Sequence, residues 1–154
     1  MKKLLFFAII FFLLEACSSI DVYEKTEAFS KQTWSSNNKL SFTFTITDTT
    51  AQYNIYAAIR HTDAYHFNNI WLNVTTVAPG DTAATQQVNL KLGDNTKGWL
   101  GSEMDDIIEH RVLLTRYPVK LKKGNYNFIL QQIMREDPLQ NVMSAGIRVE
   151  KAIR

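Results

Sequence analysis

The sequence predicts an all-β fold: an antiparallel β-sandwich of jelly-roll type in a single domain, with a small closed β-barrel as the alternative. Three observations predict it. Apolar and polar residues alternate with a period of two from Leu40 onward. Turn-forming residues punctuate the chain at short intervals. No long segment repeats its apolar residues at the helical period. That combination is the pattern of sandwiches and barrels.

The elements follow in order. Leu40, Phe42, Phe44 and Ile46 alternate with Ser41, Thr43, Thr45 and Thr47, which describes a half-buried strand. Asp48-Thr49-Thr50 is a turn. Tyr53, Ile55, Ala57 and Ile59 form the inward face of a second strand, expected to pair with the first as a hairpin. Ile70, Leu72 and Val74 make a third, and Pro79-Gly80-Asp81 breaks the chain. Val88, Leu90 and Leu92 make a fourth short strand, ended by Gly93-Asp94-Asn95. Gly98-Trp99-Leu100-Gly101 reads as a compact loop, and Asp105 to Glu109 as a turn or one helical turn. Val112 and Leu114 start another strand, closed by Pro118. Lys123-Gly124-Asn125 turns into Tyr126, Phe128 and Leu130; Met134 to Asn141 reads as loop; Ile147 and Val149 form the last strand. Outer-membrane barrels need strands of about 9–11 residues with a continuous apolar outer band. Here Ser and Thr fill the outer faces.

Before these strands the composition is different. Met1-Lys2-Lys3 is a short basic start, and Leu4 to Leu14 is an unbroken apolar run. As a helix the run reaches about 17 Å, against about 30 Å of hydrocarbon core. It is too short to span and fits the apolar region of a signal peptide. Leu14-Glu15-Ala16-Cys17 then resembles the lipobox of bacterial lipoproteins, with Glu15 departing from the usual small or apolar residue. The resemblance implies cleavage after residue 16 and lipid on both the sulfur and the new amine of Cys17. An ordinary secretory signal with Cys17 incidental is the alternative. Two or more acyl chains hold a protein stably on a membrane, at about 0.8 kcal/mol per buried CH₂. The expected organisation is therefore a signal peptide over 1–16, a lipidated N-terminus and tether over 17–38 anchored by Trp34, and the β-sandwich over 39–154.

Several chemistries are disfavoured. Lys plus Arg number 17 against 15 Asp plus Glu, a net +2, which is too little for a nucleic-acid binder. One Cys in the chain excludes an intrachain disulfide framework and a multi-Cys metal site. No G-x-S-x-G, H-E-x-x-H or phosphate-cradling loop is present. His61 and His66 flank Asp63 across an expected loop, but five residues apart is not the one-face helical spacing of a zinc pair. Glu103, Asp105 and Asp106 lack the full pattern of a calcium loop and read as solvated carboxylates near a helix N-terminus. No cofactor or metal is called for, and the chain is read as a non-enzyme.

The surface candidates are aromatic and basic. Trp71 stands out of phase with Ile70 and Leu72, and with Tyr65 it could stack on a sugar. Trp99, between glycines, reads first as packing. Arg60 and Arg135 adjoin apolar strand patterns, with Asp48 and Glu150 as expected ion-pair partners.

Taken in order along the chain, these residues are similar to the GldH family of gliding-motility lipoproteins of the Bacteroidetes. The resemblance rests on Cys17 followed by Asp21-Val22-Tyr23-Glu24, Trp34, Phe42-Thr43-Phe44 with Asp48, and Tyr53-Asn54-Ile55. It continues through Arg60-His61-Thr62, Tyr65, Asn69-Ile70-Trp71-Leu72, Gly98-Trp99-Leu100-Gly101 and Gly124-Asn125-Tyr126-Asn127-Phe128. Met134-Arg135, Leu139 and Gly146-Ile147-Arg148-Val149-Glu150 complete it. It implies an accessory or assembly component of a gliding apparatus linked to type IX secretion, with envelope motility and secretion proteins as partners. It carries over no catalytic residues. Asp48-Thr49-Thr50 and Asp81-Thr82-Ala83 also resemble the O-glycosylation sites of that phylum. Ser18, by resemblance to the lipoprotein sorting rule of other bacteria, implies the outer membrane. The alternative function is a carbohydrate-binding β-sandwich lipoprotein. An envelope hydrolase is a third, requiring a pocket with paired carboxylates or His61 within reach of Asp63.

Overall fold

The computed structural model describes residues 21–153, so Cys17 and the expected signal segment 1–16 lie outside the described residues. Thirteen strands follow one another. They are β1 (Asp21–Ala28), β2 (Thr33–Trp34), β3 (Leu40–Ile46), β4 (Tyr53–Thr62), β5 (Asn69–Val77), β6 (Ala84–Lys91) and β7 (Gly93–Asp94). Then come β8 (Gly98–Trp99), β9 (Ser102–Met104), β10 (Ile107–Leu113), β11 (Gly124–Gln132), β12 (Leu139–Gln140) and β13 (Val142–Lys151). One sheet has the order β1-β13-β4-β10-β9 and the other β3-β11-β5-β6, with every neighbouring pair antiparallel. Neither sheet closes on itself. The fold is a sandwich, not the alternative barrel.

The alternation read from the sequence is the alternation seen. In β3 Leu40, Phe42, Phe44 and Ile46 are buried while Ser41, Thr43 and Thr45 are exposed. Ile70, Leu72 and Val74 of β5 and Tyr126, Phe128 and Leu130 of β11 join them from the same sheet. Tyr53, Ile55, Ala57 and Ile59 of β4 and Ala145, Ile147 and Val149 of β13 meet them from the other. Fully burying side chains of this size contributes about 1.5–3 kcal/mol each. The core is aromatic near its edge, where Phe44 contacts Tyr23, Tyr126 and Phe128 at centroid distances of 5.4 to 5.6 Å.

Pairing departs from expectation. The hairpin of β3 with β4 does not form: β3 pairs with β11, and β4 lies between β13 and β10. β3 has an apolar inward face and β4 has one from Tyr53 to Ile59, and those faces meet across the core instead of lying side by side. The chain crosses between sheets at Asp48. Its carboxylate accepts from the Thr50 amide at 2.9 Å and hydroxyl at 2.7 Å, and from Lys151 Nζ at 2.8 Å. The Lys151 hydrogen bond first, then those from Thr50, hold its pKa far below the usual carboxylate range.

The expected tether is also corrected. From Asp21 the chain is folded: β1 is the edge strand on β13, and Trp34 is completely buried. Trp34 stacks on Phe29 at 5.1 Å, its Nε1 donates to the Asn38 carbonyl at 2.9 Å, and β2 pairs with β12. The expected loop over 134–141 thus contains a short strand. Asp105 to Glu109 is not helical; it is the turn between β9 and β10 and the start of β10. The fourth strand begins at Ala84, earlier than its apolar residues suggested, and the loop at 98–101 contributes β8, paired with β7.

Gly146 of β13 lies tight against the backbone of β1. A Cβ there would collide with the Lys25 carbonyl oxygen and stand 2.6 Å from Thr26 Cα, and backbone cannot swing aside. Gly146→Ala is expected to cost about 1–3 kcal/mol as an overpacked site. The checks are a lowered denaturation midpoint and faster amide exchange in β1.

Candidate interaction surface

The two outer faces of the sandwich differ in chemistry. On the five-stranded sheet, register lines up charges of alternating sign. Glu24 lies opposite Arg148, Arg148 opposite Tyr56, and Glu109 opposite Arg60. Arg148 pairs with Glu24 and also with Glu150 at 3.1 Å, and Tyr56 donates to Glu150 at 2.9 Å. Arg111 bridges Glu109 at 3.2 Å and Glu24 at 3.5 Å.

Arg60 therefore does not pair with Asp48 or Glu150 as expected. It pairs with Glu109 at 2.6 Å, because the β4–β10 register sets the two side by side while Asp48 sits before the other end of β4. The Arg60 hydrogen bond, before all else, lowers the pKa of Glu109. Arg135 stays exposed beyond β11, and neither Asp48 nor Glu150 is its partner, being held by Lys151 and Arg148. Arg60 is about half exposed, so Arg60→Ala is expected to cost under about 1 kcal/mol in a denaturation curve.

The histidines are rearranged more thoroughly. His61 is not a loop residue: it continues the inward parity of β4 and is fully buried. Its partner is His110 of β10, with the two Nε2 atoms 2.9 Å apart, rings 17° from coplanar and centroids 4.9 Å apart. Rings aimed at each other in one plane make an N–H···N hydrogen bond. His61 Nδ1 stands 2.7 Å from the Thr62 carbonyl oxygen, which can only accept, so Nδ1 carries the His61 proton. His61 Nε2 then accepts from His110 Nε2–H, and His110 Nδ1 is the ring nitrogen whose lone pair neither of these bonds uses. Burial, then the neighbouring His61, pushes the His110 pKa down to about 4; burial also lowers that of His61.

Trp99 and Tyr65 close over this pair. Trp99 meets His61 edge-on at 4.4 Å, and Tyr65 lies 4.9 Å from His61. Both aromatic candidates are thus packing residues around a buried imidazole pair. Gly101 makes room for the crossing: a Cβ there would collide with the Glu109 carbonyl and come within 2.8 Å of His110 Nδ1. His66 faces away, 2.9 Å from Glu136, so His61, Asp63 and His66 do not converge. Glu103, Asp105 and Asp106 are exposed around the β9–β10 turn, with no helix N-terminus beside them. Among the described residues no three His, Cys, Asp or Glu side chains gather as a metal site.

The face of the four-stranded sheet is nearly free of charge. Ser41, Thr43 and Thr45 of β3 meet Asn125 and Asn127 of β11, with hydroxyl-to-amide bonds of 2.7 to 3.5 Å. Asn69 bonds Asn89 at 2.7 Å, and Thr75 bonds Thr85 at 2.7 Å. Of the outward residues on the four strands, Lys91 alone is charged, and it pairs with Asp94. Trp71 stands on this face 39% exposed, whereas Tyr65 is only 5% exposed. The expected platform of Trp71 with Tyr65 is therefore not formed, because Tyr65 is consumed by the histidine pair.

Strand β6 is the edge of this sheet. Its eight residues pair with β5 without a bulge, and only Leu90 is buried. Ala84 and Gln86 point toward the inner side yet stay exposed, and Val88 is half-buried. Sequence reasoning saw only the apolar half of this strand. The signal it passed over is the uncharged run from Ala84 to Leu90.

Two curated relatives and a family profile agree with one another. A gliding motility lipoprotein GldH from Flavobacterium johnsoniae is 24% identical over 146 residues, covering 90% of this chain and 90% of that one. A GldH homolog from Christiangramia forsetii is 22% identical over 147 residues, covering 91% and 90%. The structure titled infectious bursal disease virus Gx strain covers 88% of this chain and 30% of its own, with 9% identity and a TM-score of 0.29, too low to carry a fold argument. The profile of the family described as GldH lipoprotein matches residues 21–149, from the first residue of β1 to near the end of β13, and on that match the chain belongs to the GldH lipoprotein family.

Proposed function

We propose that this chain is a non-catalytic lipoprotein of the cell envelope, anchored through lipid on Cys17 at the outer membrane. In this reading it serves as an accessory or assembly component of the gliding apparatus linked to type IX secretion, and acts through protein–protein contacts. The observation that carries the reading is β6, an exposed edge strand uncharged from Ala84 to Leu90 that offers unpaired backbone groups to another chain. Family membership and the lipobox-like Leu14-Glu15-Ala16-Cys17 support the rest. The surface depressions hold ion pairs, Glu24, Arg60 and Glu109 in one and Asp48 with Lys151 in another. The pKa values of Glu109 and Asp48 are lowered, the opposite of what a general acid needs.

In-cell crosslinking of the tagged full chain tests this reading. Recovery of envelope proteins with it, together with impaired motility or type IX export in a deletion strain, is the expected result. Recovery of the protein alone, with normal motility and export in the deletion strain, would count against it. Protease shaving of intact cells assigns the side of the membrane.

A second reading, glycan binding, is favoured by one observation: Trp71 lies exposed among Asn69, Asn73 and Asn89 on a face nearly free of charge. It predicts binding on a glycan array that Trp71→Ala removes. A silent array overturns it.

A further inference from the structure

We propose that β6 is a self-pairing edge, and that two copies of this chain join β6 to β6 about a two-fold axis into one continuous eight-stranded sheet. The proposal deepens the protein-contact reading above and rests on it.

The first argument is what β6 lacks. Sheet edges in native proteins are blunted by charges, proline, bulges or shortness. The edge strand β1 carries Glu24, Lys25 and Glu27 and a register shift near Asp21, and the edge strand β9 is three residues long with Glu103 in it. The remaining edge, β3, is also uncharged, but its inward residues are already buried, with Tyr23 lying over Phe44. Strand β6 has none of these protections along Ala84 to Leu90, and its inward residues Ala84, Gln86 and Val88 are left uncovered or half-covered. Pairing at β6 would bury side chains as well as satisfy backbone groups; pairing at β3 would gain little.

The second argument is charge. Like charges opposite one another destabilise a strand pair, so an edge that meets its own copy must be neutral around its axis. The one charge on β6 is Lys91 at its end, already paired with Asp94. A two-fold axis perpendicular to the sheet keeps outward residues outward, so it passes through a residue position, and the two at the middle of β6 are Gln87 and Val88. Centred on Gln87, it sets Thr85 against Asn89 and Gln86 against Val88, and holds the two Lys91 Cα atoms about 27 Å apart at roughly 3.4 Å per residue. Centred on Val88, it sets Val88 against Val88 and Gln87 against Asn89. The first seam matches hydroxyl with amide at Thr85 and Asn89 and apolar with apolar at Ala84 and Leu90, the second matches Val88 with itself and amide with amide, and neither opposes like charges. Confinement to one membrane surface raises the effective concentration for an edge contact of this small size.

Cysteine crosslinking of the full chain in its own membrane provides the test. A residue on a two-fold axis faces itself, so a single substitution suffices. Gln87→Cys and Val88→Cys are made separately, with Thr43→Cys on β3 and the unsubstituted chain as controls, and treated with an oxidant or a short thiol crosslinker. The expected result is a disulfide-linked species of twice the monomer mass from at least one axis variant, none from the controls, and a several-fold loss when Gln86→Lys is added. Monomer from both axis variants, or equal crosslinking by Thr43→Cys, overturns the proposal. An adduct with a different protein at position 87 or 88 overturns self-pairing and leaves the protein-contact reading standing. Normal motility and export in the deletion strain removes that reading whatever the crosslinks show.

Discussion

Trp34→Ala is expected to cost the fold about 3–5 kcal/mol, the range for emptying a large buried aromatic site. Trp34 is wholly buried, is stacked on Phe29, and bonds through Nε1 to the Asn38 carbonyl at 2.9 Å. Its own carbonyl accepts from the buried Gln132 side chain at 3.2 Å, so the tryptophan ties the segment before β3 to the end of β11. Truncation leaves a cavity and an acceptor at Asn38 without its donor. The check is the midpoint of a denaturant curve with its slope unchanged. A loss below about 1 kcal/mol would mean that residues 30–38 belong to the tether that the sequence suggested over 17–38 and not to the domain.

Acid is expected to weaken the protein through the His61–His110 pair. The sign follows from the lowered pKa values. Both imidazoles prefer to be neutral when folded, so unfolding takes up protons. The contribution is complete above the ordinary histidine value of about 6.5 and is lost as pH falls toward the His110 value of about 4. One pKa unit corresponds to about 1.4 kcal/mol, so the loss across this window is on the order of 3 kcal/mol. The proton enters at His110 Nδ1, because the Thr62 carbonyl and the imidazole–imidazole bond occupy the other three ring nitrogens. Asp48 and Asp94 have pKa values held far below the usual carboxylate range, so they titrate later as pH falls, and that of Glu109 is lowered as well. Unfolding curves between pH 7 and 4 measure the effect. His110→Phe is expected to flatten the pH dependence while costing about 1–3 kcal/mol at neutral pH, since His61 Nε2 loses its donor. A wild-type curve flat over that range would contradict the neutral pair.

These two predictions also show how much was legible beforehand. Strand positions were legible because a period of two is written directly in Leu40–Ile46, Tyr53–Ile59 and Tyr126–Leu130. Partners were not, because an apolar face says that a strand is half-buried and not which strand lies beside it. That is why β3 and β4 read as a hairpin although they belong to opposite sheets. Strand β1 was illegible for a related reason: as an edge strand rich in exposed charge, Asp21–Ala28 has the composition of a linker. The histidine pair was half-legible. His61 continues the inward series Tyr53, Ile55, Ala57, Ile59, and His110 follows Ile108 at the same parity. Only the β4–β10 register, which sets Ile108 against His61 and His110 against Ile59, brings the two rings together. The surface is legible in reverse: an uncharged run from Ala84 to Leu90 is plain in the sequence, but its place at a sheet edge is a property of the topology.

The central claim is that this domain works through the β6 edge. Its most direct measurement is complementation of a deletion strain by the full chain carrying Gln86→Lys and Gln87→Lys. Both positions are exposed, so stability is expected to stay within about 0.5 kcal/mol of the parent. Lysine on both sides of the strand blunts the edge. At equal membrane abundance and unchanged thermal midpoint, the variant is predicted to fail to restore motility or type IX export and to lose its crosslinked partners, while Arg60→Ala restores them. Full restoration by the lysine variant would contradict the claim.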